Sequence, residues 1–287
     1  MLLKIAIFAS IGAYLGYAGT KFFISPSKKC VKTVPDESRI EVLRTFSSYD
    51  GRYNKFRHHV KMVLDAPVPD ILKKYDYYDY CRMGIDNKDE IVFSMLNFVC
   101  DNFKHKSDAV LPSKHSLTAL IKSCENSGGM TNCRGLSLIL AELLRMNGVM
   151  ARHVTCKPYE EPFQDCHVVV DCLMPSGARI MLDPTYRLFL TDDNGEYVSL
   201  AKLREGIIVG KNFYPNEYAS YNGSGFDYSD YIEYMTKNVF RFNTNYRLMY
   251  SDSIITQIEL IPKGYTTKGM AKIVQYTTNP GYFWKLD

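Results

Sequence analysis

The sequence predicts an α+β domain in which helices come first and an antiparallel sheet follows. Three observations carry that prediction. In "KDEIVFSMLNFVCDNF", Ile91, Met95, Phe98 and Val99 recur at three- and four-residue spacing, the period of one helix face. In "GGMTNCRGLSLILAELLRMNG", residues 128–148, Leu136, Leu140 and Leu143 form a second apolar stripe, widened by Ile139 and Met146. Two short apolar runs, "CHVVVDCLM" (166–174) and "ARIMLDPTY" (178–186), then flank Pro175, Ser176 and Gly177, the signature of a strand pair closed by a tight turn.

The chain of 287 residues is long enough for a substantial core, and its 46% hydrophobic and 23% charged residues are those of a folded globular protein. A net charge of +4 with no basic run argues against nucleic acid as a partner. The aromatic content is lopsided, 22 Tyr and 15 Phe against the single Trp284, which suits large packing surfaces or a broad groove. Eight cysteines include no CxxC pair, so neither a zinc ribbon nor a thioredoxin-like redox motif is supported. Most of these thiols are expected as small buried hydrophobes.

At the N-terminus an uncharged run from Ile5 to Thr20 lies between Lys4 and Lys21. Its length suits the apolar region of a signal peptide, with Gly16 and Ala18 at a cleavage point; with Lys21 snorkelling, Leu2 to Ile24 would span as an uncleaved anchor. Membrane association and an anchored or exported domain are therefore expected, with the extracytoplasmic side favoured. Lys21, Lys28, Lys29 and Lys32 after the run oppose that orientation under the positive-inside rule. The expected organisation is residues 1–24 as targeting segment, 25–40 as a proline-containing linker and 41–287 as the domain. Its core covers about 90–190, with a C-terminal extension over 191–287.

Within the domain, helical patterning runs from Glu41 to Leu64 and from Asp89 to Phe103. "YDYYDYC", residues 75–81, reads as a tyrosine-rich packing surface. Ser116 caps a short helix. The helix after Cys133 has Thr131 or Asn132 as its cap and Gly148 where a left-handed residue belongs. Cys133 stands three residues before Leu136 and seven before Leu140, so it heads the apolar stripe at the first turn. "GVMARHVTC" reads as the strand that follows. Partners across the 175–177 hairpin have numbers summing to about 350–352, so His167 and Asp183 fall opposite or one diagonal step apart, on the same sheet face. Beyond Arg187, "TDDNGEYVSLAKLREGIIVG" reads as a turn and a short helix. Residues 213–250 are rich in Tyr and Asn without clear periodicity, and "SIITQIELIP" and "MAKIVQYTT" read as closing strands.

A thiol at a helix N-terminus sits among exposed N–H groups that favour its anion. An imidazole beside it, oriented by a carboxylate, would complete the apparatus of acyl transfer. Cys133, His167 and Asp183 supply those three types. Taken singly, Cys133 would be a core thiol and His167 a satisfied core histidine. Asp165 offers another carboxylate near His167 but reads as solvated. Cys166 and Cys172 fall on the face opposite His167 and read as packing. His58, His59, His105, His115 and His153 show no metal-ligand spacing, and no cofactor motif is present. Arg134 would bias Cys133 toward the thiolate but opposes the helix dipole.

"TNCRGLSLILAELLRMNGVMARHV" followed by "CHVVVDCLMPSGARIMLDPTY" resembles the core of the transglutaminase-like superfamily, a branch of the papain-like cysteine enzymes. That pattern has a Cys opening a helix, a His on a strand about 35 residues later and an Asp on the next strand, often before Pro; here these are Cys133, His167, Asp183 and Pro184. Members commonly carry an aromatic residue after the His, where this chain has Val168 and Val169. The resemblance implies a papain/transglutaminase-like core with the catalytic helix packed on an antiparallel sheet. It also implies a thioester mechanism on a protein or peptide substrate, with no cofactor or metal. Cys133 attacks a carbonyl, His167 protonates the departing amine and Asp183 orients His167. The backbone N–H of Cys133 is the natural oxyanion donor, with Asn132 or an upstream side chain as a second. Hydrolysis of peptide or amide bonds is the leading expectation. A protein-crosslinking transglutaminase uses the same chemistry, and a membrane-tethered binding module of the same fold is the alternative outside enzymology.

Overall fold

A computed structural model describes residues 36–51, 61–82, 87–245, 247–248, 257–266 and 274–286. The apolar N-terminal run and Cys30 lie outside them. Among the described residues no helix is long and apolar enough to cross a membrane. The first half carries α1 (Glu37–Thr45), β1 (Lys61–Met62), α2 (Tyr77–Arg82), α3 (Glu90–Asn102), β2 (Lys104–His105), α4 (Leu117–Asn126), β3 (Met130–Thr131) and α5 (Cys133–Met146). Next come β4 (Met150–Lys157), β5 (His167–Leu173), β6 (Arg179–Leu182), β7 (Leu190–Thr191), α6 (Leu200–Val209), β8 (Tyr214–Pro215) and α7 (Tyr228–Asn238). The chain closes with β9 (Arg241–Asn245), β10 (Arg247–Leu248), β11 (Gln257–Leu260), β12 (Val274–Thr277) and α8 (Pro280–Phe283).

The main sheet has six strands in the order β12-β11-β9-β4-β5-β6, antiparallel except for the β11–β12 edge pair. Side chains alternate between its faces, and both faces are covered. Ala151, Val170, Cys172, Ile180 and Leu182 pack with the core residues of α3, α4 and α5. Val154, Cys156, Val169 and Met181 pack against Leu200, Leu203, Tyr231 and Met235 of α6 and α7. Burial on both sides explains why "HVVVDCL" reads as an almost unbroken apolar run.

The fold class follows the sequence expectation: mixed α+β with α5 packed on the sheet. This helix is more central than a single stripe implied. Eleven of its residues are buried, because α3 and α4 cover the side away from β4 and β5. Asn132 caps it by accepting the Gly135 N–H at 3.0 Å. Gly148, at φ +73°, lets the Val149 N–H return to the Leu144 carbonyl at 3.0 Å. Gly135 could not carry a side chain, since a Cβ there would fall 2.1 Å from Thr131 Oγ1.

Several boundaries differ from expectation. The helix expected from Glu41 to Leu64 ends at Thr45 and already begins at Glu37, inside the expected 25–40 linker; Asp36 caps it through the Ser38 N–H at 3.0 Å, and Ile40 is buried. Beyond Phe46 the polar run "SSYDG" offers no apolar face to continue it, and Arg204 holds the Phe46 carbonyl at 2.7 Å. The strand expected over 178–186 stops at Leu182, because Asp183 and Leu188 exchange backbone hydrogen bonds at 2.8 and 3.0 Å around a turn containing Pro184. The tyrosine-rich 75–81 segment is largely α2, where Tyr77 is buried with its ring 5.8 Å from that of Phe98. The 213–250 stretch contains α7 and β9. The latter is an inner strand whose polar side chains Asn243 and Thr244 mask its periodicity.

Candidate active site

The thiol side is built by three adjacent segments. β2 pairs in parallel with β3, placing His105 opposite Thr131, two residues before Cys133. Asn132 both caps α5 and donates its side-chain amide to the Ala109 carbonyl at 2.8 Å, tying the helix entry to the loop after β2. Cys133 is the first residue of α5 and is half-buried. Its thiol sits beside the side chains of His167 and His105 and the backbone of Val168, close enough for each to bias its ionisation.

The base side comes from the hairpin. β5 and β6 pair with Val170 opposite Leu182, a register sum of 352, so Asp183 lies one diagonal step from His167 on the same face. Their side chains meet at 2.6 Å, His167 Nε2 to Asp183 Oδ2. Asp183 is fully buried and also accepts the Tyr231 hydroxyl at 3.1 Å and the Thr185 N–H at 3.0 Å. With Nε2 committed to Asp183, the other ring nitrogen, Nδ1, is left for the thiol. The rings of Tyr234 and Tyr186 flank the imidazole at 5.4 and 6.0 Å.

Electrostatics set Cys133 apart from the other thiols. Burial pushes its pKa up, but the neighbouring imidazoles of His105 and His167, with the charge of His167, overcome burial and bring it to about 6. For His167, burial favours the neutral ring; the Asp183 carboxylate and Cys133 reverse that and raise it to about 10. Between those values the pair is thiolate and imidazolium. Burial raises every other described thiol: Cys81, Cys100, Cys124, Cys156, Cys166 and Cys172. Seven cysteines share the described structure, all free, and in Cys133 alone is the pKa brought below the ordinary thiol value.

Of the other residues considered from the sequence, Asp165 is exposed and pairs with Lys237 instead of the imidazole. Cys172 packs in the core, whereas Cys166 is half-buried, its carbonyl accepting from Tyr234 at 3.3 Å. Arg134 donates to Thr155 Oγ1 at 3.2 Å. Among the described residues no three His, Cys, Asp or Glu side chains converge to hold a metal ion, and His58 and His59 lie outside them. A cavity of about 450 Å³ lies against Glu142 and Met146 near the other end of α5 and is not lined by Cys133.

Sequence reading missed His105 and the tyrosines of the C-terminal extension. No local signal marks His105, because its position follows from a two-residue strand. Tyr228, Tyr231 and Tyr234 carried a usable one: three-residue spacing places them along one side of a helix.

Residues 77–184 match the model of the transglutaminase-like superfamily. The match takes in Cys133, His167 and Asp183 and stops before Tyr186. The solved structure of a candidate cysteine protease from Cytophaga hutchinsonii aligns at 14% identity with a TM-score of 0.30, over 55% of this chain and 57% of its own. The alignment thus spans little more than half of that protein. No curated protein matches the chain.

Proposed function

We propose, from the match of residues 77–184 to the transglutaminase-like superfamily, that the chain is a cysteine-dependent acyl-transfer enzyme that hydrolyses peptide or amide bonds. The observation that carries this reading is the contact chain from the Cys133 thiol through His167 to Asp183, with 2.6 Å between the last two. The Cys133 thiolate adds to the carbonyl carbon, and the His167 imidazolium protonates the amine as the C–N bond breaks, leaving a thioester. Water, deprotonated by the now neutral His167, then releases the acid. Asp183 keeps Nε2 occupied and Nδ1 turned to the reacting atoms. The backbone N–H of Cys133, in the first turn of α5, has no intrahelical partner and is available to the oxyanion.

Iodoacetamide labelling across pH tests the reading. Wild type should show a Cys133 adduct whose rate rises with pH through about 6. His167→Ala should move that midpoint up toward the ordinary thiol value, and Cys133→Ala should abolish the adduct. A Cys133 that reacts no faster than an exposed model thiol, with no dependence on His167, would sink the proposal. Release of ammonia from a glutamine peptide only when a primary amine is supplied would redirect it to crosslinking.

A further inference from the structure

A second imidazole reaches the reacting sulfur, and its placement is over-determined. The N–H groups of Lys104 and Lys106 bond the Gly129 and Thr131 carbonyls, both at 2.8 Å, which registers His105 against the segment leading to Cys133. From the opposite side, the 221–224 turn grips the same residue. Asn222, at φ +53°, accepts the His105 N–H at 2.7 Å and donates to its carbonyl at 3.0 Å. Gly223 follows at φ +81°, so both central residues of the turn are left-handed, a conformation that Asn and Gly favour. The turn also brings the Tyr221 hydroxyl to 3.0 Å from His105 Nδ1.

With the Tyr221 hydroxyl donating to Nδ1, the neutral ring carries its proton on Nε2 and presents an N–H donor. The Cys133 sulfur lies beside this ring, so an oxygen forming next to the sulfur comes within its reach. Asn132 is less free for the task, because its carbonyl oxygen holds the Gly135 N–H and its amide holds Ala109. We propose that His105, oriented by Tyr221 and Asn222, is the second oxyanion donor of this enzyme, a reading that rests on the acyl-transfer function proposed above. As Sγ bonds to the carbonyl carbon, the C=O π pair moves onto oxygen. His105 Nε2–H and the Cys133 N–H hydrogen-bond that oxygen without giving up their protons. The pair then returns to re-form C=O, the C–N bond breaks, and the proton on the amine comes from His167. His105 is thus a donor and His167 the acid, although both touch the same sulfur.

Comparing two reactions of the same thiol tests this assignment. Alkylation by iodoacetamide passes through no oxyanion; acylation by p-nitrophenyl acetate does, and its burst of p-nitrophenolate reports it. In His105→Ala, acylation should fall on the order of 10²–10³-fold relative to alkylation, the loss typical of one oxyanion donor. His105→Gln, which keeps an N–H donor, should recover part of the loss. Tyr221→Phe, which removes only a hydroxyl and covers a His105→Ala that fails to fold, should lower the ratio about fivefold. If the two rates fall together, or neither falls, His105 is no oxyanion donor, while His167-dependent alkylation would leave the triad standing. A wild type that is alkylated but never acylated overturns the acyl-transfer reading itself.

Discussion

Asp171 and Asp183 are both fully buried, on the same face of the β5–β6 hairpin, and each is bonded to cationic partners. Asp171 receives Arg179 through two bonds of 2.8 Å and Arg152 at 3.0 Å, while Arg152 also donates to the Phe283 carbonyl at 2.8 Å and lies over the Phe283 ring. Its charge is closed on every side by side chains and by α8. Asp183 meets a single imidazole, and that ring sits beside a half-buried thiol. One hairpin therefore carries two buried ionic centres with different outlets. The first spends its electrostatic energy within the fold; the second passes it to a thiol whose pKa it helps to lower. A buried carboxylate on its own distinguishes neither, and what its partner touches next decides the role.

Breaking the two centres separately should expose that difference. The largest effect is expected from Asp183→Asn. It keeps the shape but can impose the wrong tautomer on His167, so acylation by p-nitrophenyl acetate should drop on the order of 10³–10⁴-fold. The urea midpoint should move little. Asp171→Ala should do the reverse. Leaving Arg152 buried beside Arg179 without a counter-charge should cost roughly 3–5 kcal/mol of unfolding free energy. Folded molecules should still alkylate at the wild-type rate.

Acid should separate the centres as well. The thiolate of Cys133 is lost as pH falls through about 6, so alkylation should decline about tenfold per pH unit below that. For Asp171, burial pushes the carboxyl up, but Arg152 and Arg179 overcome it and hold its pKa below the ordinary 3.8. A carboxylate depressed in the folded state contributes stability above its unfolded value and loses it only as pH falls through the folded one. Between about pH 6 and pH 4 the protein should therefore remain folded by circular dichroism while its thiol falls silent. Coincident loss of both signals would show that the two centres are not independent. The smallest effect is reserved for Tyr231→Phe, which deletes one of the hydrogen bonds to Asp183. It should slow acylation by less than about tenfold, since such a bond contributes about 1 kcal/mol.

The sequence by itself determined the parts whose cues are local. The apolar period and caps of 128–148 specified α5 and set Cys133 at its start, and the Pro-Ser-Gly turn with its flanking runs brought His167 and Asp183 to one face. Hairpin register is short-range, so a sum of residue numbers was enough to pair them. It did not determine how far elements extend where polar runs or backbone turns interrupt a pattern, as at Thr45 and Leu182. Only the tertiary structure decided which groups complete the site. His105 arrives through a parallel bridge to Thr131, Tyr221 is 116 residues from it in sequence, and Tyr231 is 48 from Asp183. Such contacts depend on how layers stack, and no local period encodes that. The thiol's character was settled the same way: a helix start permits a low pKa, but two imidazoles from distant strands are what produce it.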